Sequence, residues 1–151
     1  MRIAIDCDDA GLALKQIIVD HLGTLGLEAV DLDYLHERKV DYPDIGHHLA
    51  KRVAAKEFDR GILICGTGLG MAMVANKVPG VFAGTCHDTF SVERLKKSND
   101  ANVLTLGARV VGPELAKAIV TAWVKSDFAG GGSAPKVERM RELEREAYAA
   151  R

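Results

Sequence analysis

Short apolar runs alternate with stretches in which apolar residues recur every three to four positions, and the alternation repeats along most of the chain. The apolar runs predict buried strands at residues 2–7, 27–32, 60–65, 81–86 and 102–106. The periodic stretches predict helices at about 10–22, 44–55, 68–77, 88–97 and 113–125. Strands that alternate with helices usually pair in parallel through right-handed crossovers. The pattern therefore predicts an α/β fold: a three-layer αβα sandwich around a Rossmann-like five-stranded parallel sheet.

Two segments depart from this alternation. Residues 36–44, HERKVDYPD, are polar and contain a proline, so a loop is predicted there, and His47 and His48 are placed on the solvated face of the next helix. Residues 128–135 form a glycine-rich break, and a charged helix is predicted from about 135 to 149. Its apolar stripe is too thin to form a core alone, so this helix must pack on another surface. That surface is its own domain or, as we predict, a partner subunit. We treat 1–127 as the α/β domain and 128–151 as its extension into a dimer interface.

Composition narrows the class of protein. The chain has 151 residues, and 20 basic against 21 acidic side chains give a net charge of −1. Neither this charge nor the 5% aromatic content suits nucleic-acid binding. No apolar stretch is long enough to span a membrane, and the first apolar run is too short for a signal peptide. Three cysteines form no disulfide framework, so the cytoplasm is the predicted compartment.

Reactive side chains cluster where the predicted strands end, which is where parallel sheets bind ligands. These side chains are three thiols, two carboxylates, a hydroxyl and an imidazole: Cys7, Cys65, Cys86, Asp8, Asp9, Thr67 and His87. Zinc is a rival interpretation, but no C-x-x-C or H-x₃₋₅-H pair is present, so no metal is predicted. Free cysteines usually act as small apolar residues, and this is our interpretation of Cys7 and Cys86.

Cys65 differs because Gly66-Thr67-Gly68-Leu69-Gly70 and a helix follow it. Alternating glycines at a helix N-terminus place backbone N–H groups around an anion, and the helix end favours a thiolate. The spacing is neither the dinucleotide fingerprint nor a P-loop. Three interpretations stay open: a base that removes a carbon-bound proton, an acyl-transfer nucleophile with His87 as partner, or a tight turn that needs glycine for its backbone alone.

Taken together, these motifs resemble the ribose-5-phosphate isomerase B family, which also includes the galactose-6-phosphate isomerase subunits. The matching segments cover nearly the whole chain in family order: IAIDCDDAG at 3–11, VDYPD at 40–44, RGILICGTGLGMAMVANKVPG at 60–80, SNDANVLTLGARVVGPELAKAIV at 98–120 and the glycine-rich stretch through KVE at 130–138. The ICGTGxG…ANKxPG segment is the most specific of them. The resemblance implies an enzyme that interconverts phosphorylated aldoses and ketoses without a metal or organic cofactor. It also implies a homodimer or homotetramer with active sites shared between subunits.

The resemblance also implies roles for individual residues. Cys65 would carry the proton between C1 and C2, and Thr67 would assist proton transfer between sugar oxygens. The anion hole for the cis-enediolate would be lined by Gly66, Gly68 and Gly70. Sugar hydroxyls would be held by Asp8 and Tyr42, and Asn99 of a partner subunit would reach the developing oxyanion.

Several positions depart from the family pattern, and they bear on the substrate. Asp9 and Ser98 stand where histidines are expected, and the histidine at the second position opens the furanose ring. Gly132 and Lys136 stand where two arginines would clamp the phosphate. We expect His87 to take an acid–base role and Arg109, with Arg94, to replace part of the clamp.

Ribose 5-phosphate and ribulose 5-phosphate are the substrate pair that we expect from the family majority. A tetrose 4-phosphate is the alternative, since it forms no furanose and needs no ring-opening group. A non-catalytic phosphosugar-binding subunit is a less favoured alternative, because Cys65 is present.

Overall fold

The computed structural model describes residues 1–150, apart from the side chain of Glu37, and contains one five-stranded sheet. Its strands are β1 (Arg2–Cys7), β2 (Glu28–Asp31), β3 (Arg60–Cys65), β4 (Ala83–Thr85) and β5 (Val103–Gly107). They lie in the order β2-β1-β3-β5-β4, and every neighbouring pair is parallel. The predicted α/β sandwich is confirmed.

Helices cover both faces of the sheet. In chain order they are α1 (Leu12–Thr24), α2 (Tyr34–Arg38), α3 (Tyr42–Ala54), α4 (Leu69–Ala75), α5 (Thr89–Lys97), α6 (Pro113–Lys125) and α7 (Ala134–Ala149). One face packs against α3 and α4, and the other packs against α1, α5 and α6. Each face buries its own apolar core, so the strands are covered on both sides, as parallel strands require.

Alternation along the strands decides which side chains face which helices. Ile3 and Ile5 of β1 lie in the core under α1 and α6, whereas Ala4 lies in the core under α3. In β3, Leu63 and Cys65 lie on the α3 side. Since successive strand residues point to opposite faces, Asp6 also lies on the α3 side. The side chains that leave β1 and β3 on this face set the floor of the site described below.

The segment predicted as a loop at 36–44 overlaps the end of an additional short helix, α2, and α3 begins at Tyr42, two residues earlier than predicted. The prediction that His47 and His48 are both solvated is wrong for His48. Its ring stacks on Tyr34 with centroids 4.0 Å apart, whereas His47 is exposed. The aromatic contact is tertiary, since it joins α2 to α3, and a helical periodicity within α3 alone does not reveal it.

The C-terminal helix α7 packs on its own chain near the loops that precede β4 and β5. Val137 is buried, Arg141 pairs with Asp100 at 2.7 Å, and Glu144 accepts the Gly80 N–H at 3.0 Å. The predicted contact of this helix with a partner subunit, and the division at residue 128, stay predictions. Across residues 1–150, no helix is both long and apolar enough to cross a bilayer.

A buried carboxylate interrupts the apolar run of β1. Asp6 is fully buried, and its oxygens accept the N–H groups of Cys7 at 2.8 Å and Tyr34 at 3.2 Å. Burial raises the pKa of Asp6 to about 6, although these hydrogen bonds and the nearby Lys15 ammonium oppose the shift. Charge at this position is therefore expected to lower stability at neutral pH.

This shift predicts a stability that falls as pH rises. Between an unfolded pKa of 3.8 and a folded pKa of about 6, the folded state binds the additional proton. The Asp6 contribution to the free energy of unfolding should therefore decrease by about 3 kcal/mol from about pH 4 to about pH 7. Urea unfolding of wild type and Asp6→Asn across this range measures it as a difference in slope. Parallel pH dependences in the two proteins would show that Asp6 is not the titrating group.

Candidate active site

The site lies at the carboxyl ends of β1 and β3, where the order of the strands reverses. The chain leaves β1 toward β2 on one side, whereas β3 pairs with the other edge of β1. Asp8 directly follows β1, its N–H donates to Ile64 O at 3.2 Å, and Cys65 is the next residue of β3. Asp8 and Cys65 therefore emerge at the same level from strands that lie about 4.8 Å apart. A crevice at such a reversal is the usual ligand site of parallel sheets.

The loop after Cys65 is wrapped around its sulfur. The Gly68 N–H donates to Cys65 Sγ at 3.1 Å, and the Leu69 N–H donates to Thr67 Oγ1 at 3.3 Å. Gly68 has φ of +79°, and a Cβ there would lie 2.9 Å from the carbonyl carbon of Leu106. Glycine is therefore required at this turn. Two of the loop amides are used within the loop, and the Gly68 N–H expected for the anion hole is one of them.

Two threonines that the sequence did not single out hold this loop from below. Thr85 Oγ1 donates to Gly68 O at 3.2 Å, and the hydroxyls of Thr85 and Thr105 lie 2.7 Å apart. Thr105 is fully buried in β5. Threonine is a common strand residue, so its presence in β4 and β5 carries no signal of this role.

The rim of the crevice is formed by Tyr42 and Arg109. Tyr42 begins α3, and its ring lies so close to Gly70 that a Cβ there would be 2.5 Å from Cε2. The Arg109 guanidinium lies over Gly66, where a Cβ would be 3.2 Å from Nη1. Both residues are therefore brought to the loop that follows Cys65.

Asp8 and Asp9 contribute carboxylates at the same edge. Asp8 accepts the Ala10 N–H at 3.0 Å, and burial raises its pKa, while backbone hydrogen bonds and the Arg109 charge act in the opposite direction. Asp9 is exposed and lies on the wall of a cavity of about 410 Å³ that Lys39 and Asp41 also line. Asp9 thus faces a space next to the crevice, between the start of α1 and the loop before Tyr42.

His87 follows β4 and is fixed by the backbone of β5. Its Nε2 accepts the Gly107 N–H at 3.0 Å, and Gly107 is the residue that pairs with Cys65. Because a backbone amide can only donate, Nε2 is the acceptor and the neutral ring carries its hydrogen on Nδ1. His87 therefore lies near the loop, and Nδ1 is the nitrogen left for a substrate.

Ser98, Asn99 and Lys136 lie away from these groups. Ser98 and Asn99 end α5 and precede β5, so they are at the amino edge of the sheet. The length of β5 separates that edge from Gly107 and Cys65 by about 13 Å. Lys136 is exposed in the first turns of α7, and the segment before α7 is tied to the end of α5 through the Ala129 N–H and Lys97 O. One chain therefore does not bring these three residues to its own Cys65.

The other two cysteines are core residues, which confirms their interpretation as apolar filler. Cys7 and Cys86 are buried, and burial raises the pKa of the first thiol to about 12 and of the second to about 11.

In the described part of the chain, no three His, Cys, Asp or Glu side chains are grouped as metal ligands. What the crevice offers is a sulfur beside backbone donors, a carboxylate, a phenol and a guanidinium. Such a set can move a proton on a bound molecule while it stabilises an oxyanion.

The chain is similar to known proteins along nearly its whole length. Residues 3–140 match the model of the ribose/galactose isomerase family. The chain is 51% identical to the D-erythrulose-4-phosphate isomerase of Pectobacterium atrosepticum, with 93% of each chain covered. It is 46% identical to the ribose-5-phosphate isomerase B of Listeria innocua, over 95% of this chain and 97% of the relative. The structure of Clostridium thermocellum ribose-5-phosphate isomerase B superposes with a TM-score of 0.91 at 44% identity, covering 97% of this chain and 99% of that one.

Proposed function

Since the chain belongs to the ribose/galactose isomerase family, we propose that it interconverts a phosphorylated aldose and ketose, with ribose 5-phosphate and ribulose 5-phosphate as the first pair. The observation that carries the proposal is the placement of Cys65. Its sulfur lies where the strand order reverses, beside Asp8, and within a loop of backbone donors. This arrangement serves proton transfer next to a carbonyl group.

In the proposed reaction, the Cys65 thiolate removes the proton from C2 of the open-chain aldose. The electron pair of that bond forms the C1–C2 double bond, and the carbonyl oxygen on C1 takes the negative charge. Backbone donors of the loop stabilise this oxyanion. Cys65 then returns the proton to C1, while Thr67 passes the O2 proton to O1, so that C2 becomes the carbonyl carbon of the ketose.

The remaining groups hold the substrate. We assign Asp8 and Tyr42 to the sugar hydroxyls and Arg109 to the phosphate. Asn99, Ser98 and Lys136 would enter from a second subunit, since one chain holds them at the far edge of the sheet. Exposed apolar side chains near the crevice favour such an assembly, among them Leu69, Met73 and Phe90. We infer a homodimer, alone or paired into a tetramer, in the cytoplasm, where the three buried thiols would stay reduced.

A tetrose 4-phosphate is a second candidate substrate, and a specific residue favours it. Ser98 stands where the family pattern has a ring-opening histidine, and a relative 51% identical to this chain is an erythrulose-phosphate isomerase. Ring opening requires an acid–base group, whereas a sugar with its O4 phosphorylated has no furanose to open. The missing histidine is therefore a handicap for the pentose alone.

A panel of C4–C6 phosphosugars assayed for aldose–ketose exchange tests both candidates. We expect kcat/KM for the erythrose/erythrulose 4-phosphate pair to be at least comparable with that for ribose 5-phosphate. Ser98→His should raise activity on ribose 5-phosphate selectively. Turnover of any sugar in the panel would exclude a non-catalytic binding subunit, and no turnover of any of them would refute the proposed isomerase.

His87→Ala separates two roles for the histidine near the loop. If His87 opens rings through Nδ1, this variant loses turnover of ribose 5-phosphate and keeps turnover of the tetrose. If His87 binds the C1–C2 end common to both sugars, both activities fall together. A wild-type enzyme that strongly prefers ribose 5-phosphate, and whose His87→Ala variant keeps that activity, would contradict the reasoning from Ser98.

A further inference from the structure

We propose that Asp6 is a positioning residue whose buried carboxylate joins the end of β1 to α2, and so holds Asp8 and Tyr42 in place for substrate binding. The inference rests on the proposed function, because Asp8 and Tyr42 are its assigned sugar-binding groups. Asp6 itself is fully buried, so it offers no exposed surface for a substrate to contact.

Asp6 lies directly beneath the floor of the crevice. Asp6 lies in β1, and Asp8 follows two residues later with extended backbone, so both side chains leave on the same face. Its Oδ1 accepts the Cys7 N–H at 2.8 Å, which fixes the backbone just before Asp8. Its Oδ2 accepts the Tyr34 N–H at 3.2 Å, which fixes the first residue of α2. One carboxylate therefore joins two separate segments of the binding site.

The α2 segment depends on such outside contacts. It has only five residues, and the residues at its two ends, Asp33 and Lys39, have φ of 48° and 53°. Left-handed backbone is unfavourable for Lys39, whereas Asp33 tolerates it better, so the conformation at the end of the segment needs support from other contacts. Tyr34 in turn helps to position α3, because its ring stacks on His48 of that helix. Since α3 begins at Tyr42, this contact links Asp6 to the position of Tyr42.

The charges that act on Asp6 come from Lys15 and Asp31. Lys15 of α1 is almost fully buried and pairs with Asp31 of β2 at 2.8 Å and with Asp33 at 3.6 Å. Cys7 is the adjacent thiol on β1, and the β3 residue paired with Asp6 is the apolar Leu63. Tyr34 of α2 carries a phenol, and its ring stacks on His48 of α3.

Protonation of Asp6 should loosen this connection. Burial is the main cause that raises the pKa of Asp6 to about 6, and Lys15 lowers it while Asp31 raises it. A protonated carboxyl turns one of its two oxygens into a donor, so it no longer accepts both backbone N–H groups well. The buried charge lowers stability, and it lies under a binding site. A role in substrate binding therefore explains a carboxylate at this position better than a role in stability does.

Asp6→Asn tests this role because asparagine resembles the protonated acid in shape and in its single good acceptor. At pH 7 we expect KM to rise about tenfold, the effect of about one lost hydrogen bond, with kcat within about twofold of wild type. The Tm should not fall, since a buried charge has been removed. Amide hydrogen exchange should become faster in residues 33–42, and this readout does not depend on any substrate.

The pH profile adds a signature that a purely structural role lacks. The substrate phosphate also titrates near pH 6, so it contributes to the fall of kcat/KM at acidic pH in every variant. The contribution of Asp6 is therefore obtained by comparing the profile of wild type with that of each variant. Asp6→Asn should remove the Asp6 part of the decline. Lys15→Met removes the charge that lowers the pKa of Asp6, so it should move the decline to higher pH.

Asp59→Asn is the matched control. Asp59 also accepts a backbone N–H, from Arg2 at 2.7 Å, but at the opposite edge of the sheet. Its KM, pH profile and exchange in residues 33–42 should equal those of wild type. An Asp6→Asn enzyme with unchanged KM, or with unchanged exchange in that segment, would overturn the positioning role. Failure of wild type to convert any phosphosugar would refute the proposed function instead, and the exchange comparison would still decide the role of Asp6.

Discussion

Cys65→Ala is expected to fold like wild type and to lose about 10³-fold or more in kcat, because it removes the group that transfers the proton. The side chain is 5% exposed and small, so alanine leaves little empty space. The Gly68 N–H loses its acceptor but stays within the loop. Steady-state kinetics with the best sugar of the panel, together with thermal unfolding, measures both effects. Near-normal turnover would contradict the assignment of Cys65 as the base.

Cys86→Ala is the matched control, since Cys86 has the same exposure and also lies at the carboxyl end of a strand: Cys65 is the last residue of β3, and Cys86 directly follows β4. It should keep full activity. Alkylation by iodoacetate provides a second measurement: it should inactivate wild type, and bound substrate should protect. Burial raises the pKa of the Cys7 and Cys86 thiols to about 12 and about 11, so neither should react at neutral pH. Equal alkylation of Cys65→Ala and wild type, measured as the mass added to the protein, would point to another nucleophile.

The fold could be predicted where local rules and burial agree. Helix α6 begins and ends where its sequence pattern indicates, because Gly112-Pro113 suits a helix start and a wide apolar stripe follows. Helix α2 was missed because no apolar periodicity defines it. It is held by contacts from elsewhere in the chain, both of them to Tyr34, its first residue. Asp6 accepts the Tyr34 N–H, and His48 stacks on the Tyr34 ring.

The carboxyl-edge residues of the site could also be predicted. Parallel strands end at one edge, so Asp8, Cys65 and His87 were expected together from strand positions alone. Asp6 was missed because it was included in the apolar run of β1. A carboxylate inside a strand buried on both faces is itself a signal, since such a group needs partners that the chain must supply. Its partner Tyr34 lies 28 residues away, which no local pattern indicates.

The amino-edge residues raise a different problem, since Asn99 lies at the far end of β5 from Cys65. Asn99→Ala is expected to lose about 10²-fold in kcat if the side chain stabilises the oxyanion. That loss alone does not tell whether Asn99 acts on its own subunit or on a partner. Mixing two inactive variants does.

Cys65→Ala and Asn99→Ala subunits, mixed in equal amounts and allowed to exchange, should regain about a quarter of wild-type activity in a dimer with two-fold symmetry. About half of the dimers would then be hybrids, and in each hybrid one site combines the intact Cys65 of one subunit with the intact Asn99 of the other. If both residues served the same subunit, every site would keep one defect and activity would stay at the sum of the two variants. The control is a mixture of Cys65→Ala with the double variant Cys65→Ala/Asn99→Ala, which contains no intact Cys65 and should stay inactive. Absence of recovery in mixtures shown by native mass spectrometry to contain hybrids would refute the shared site.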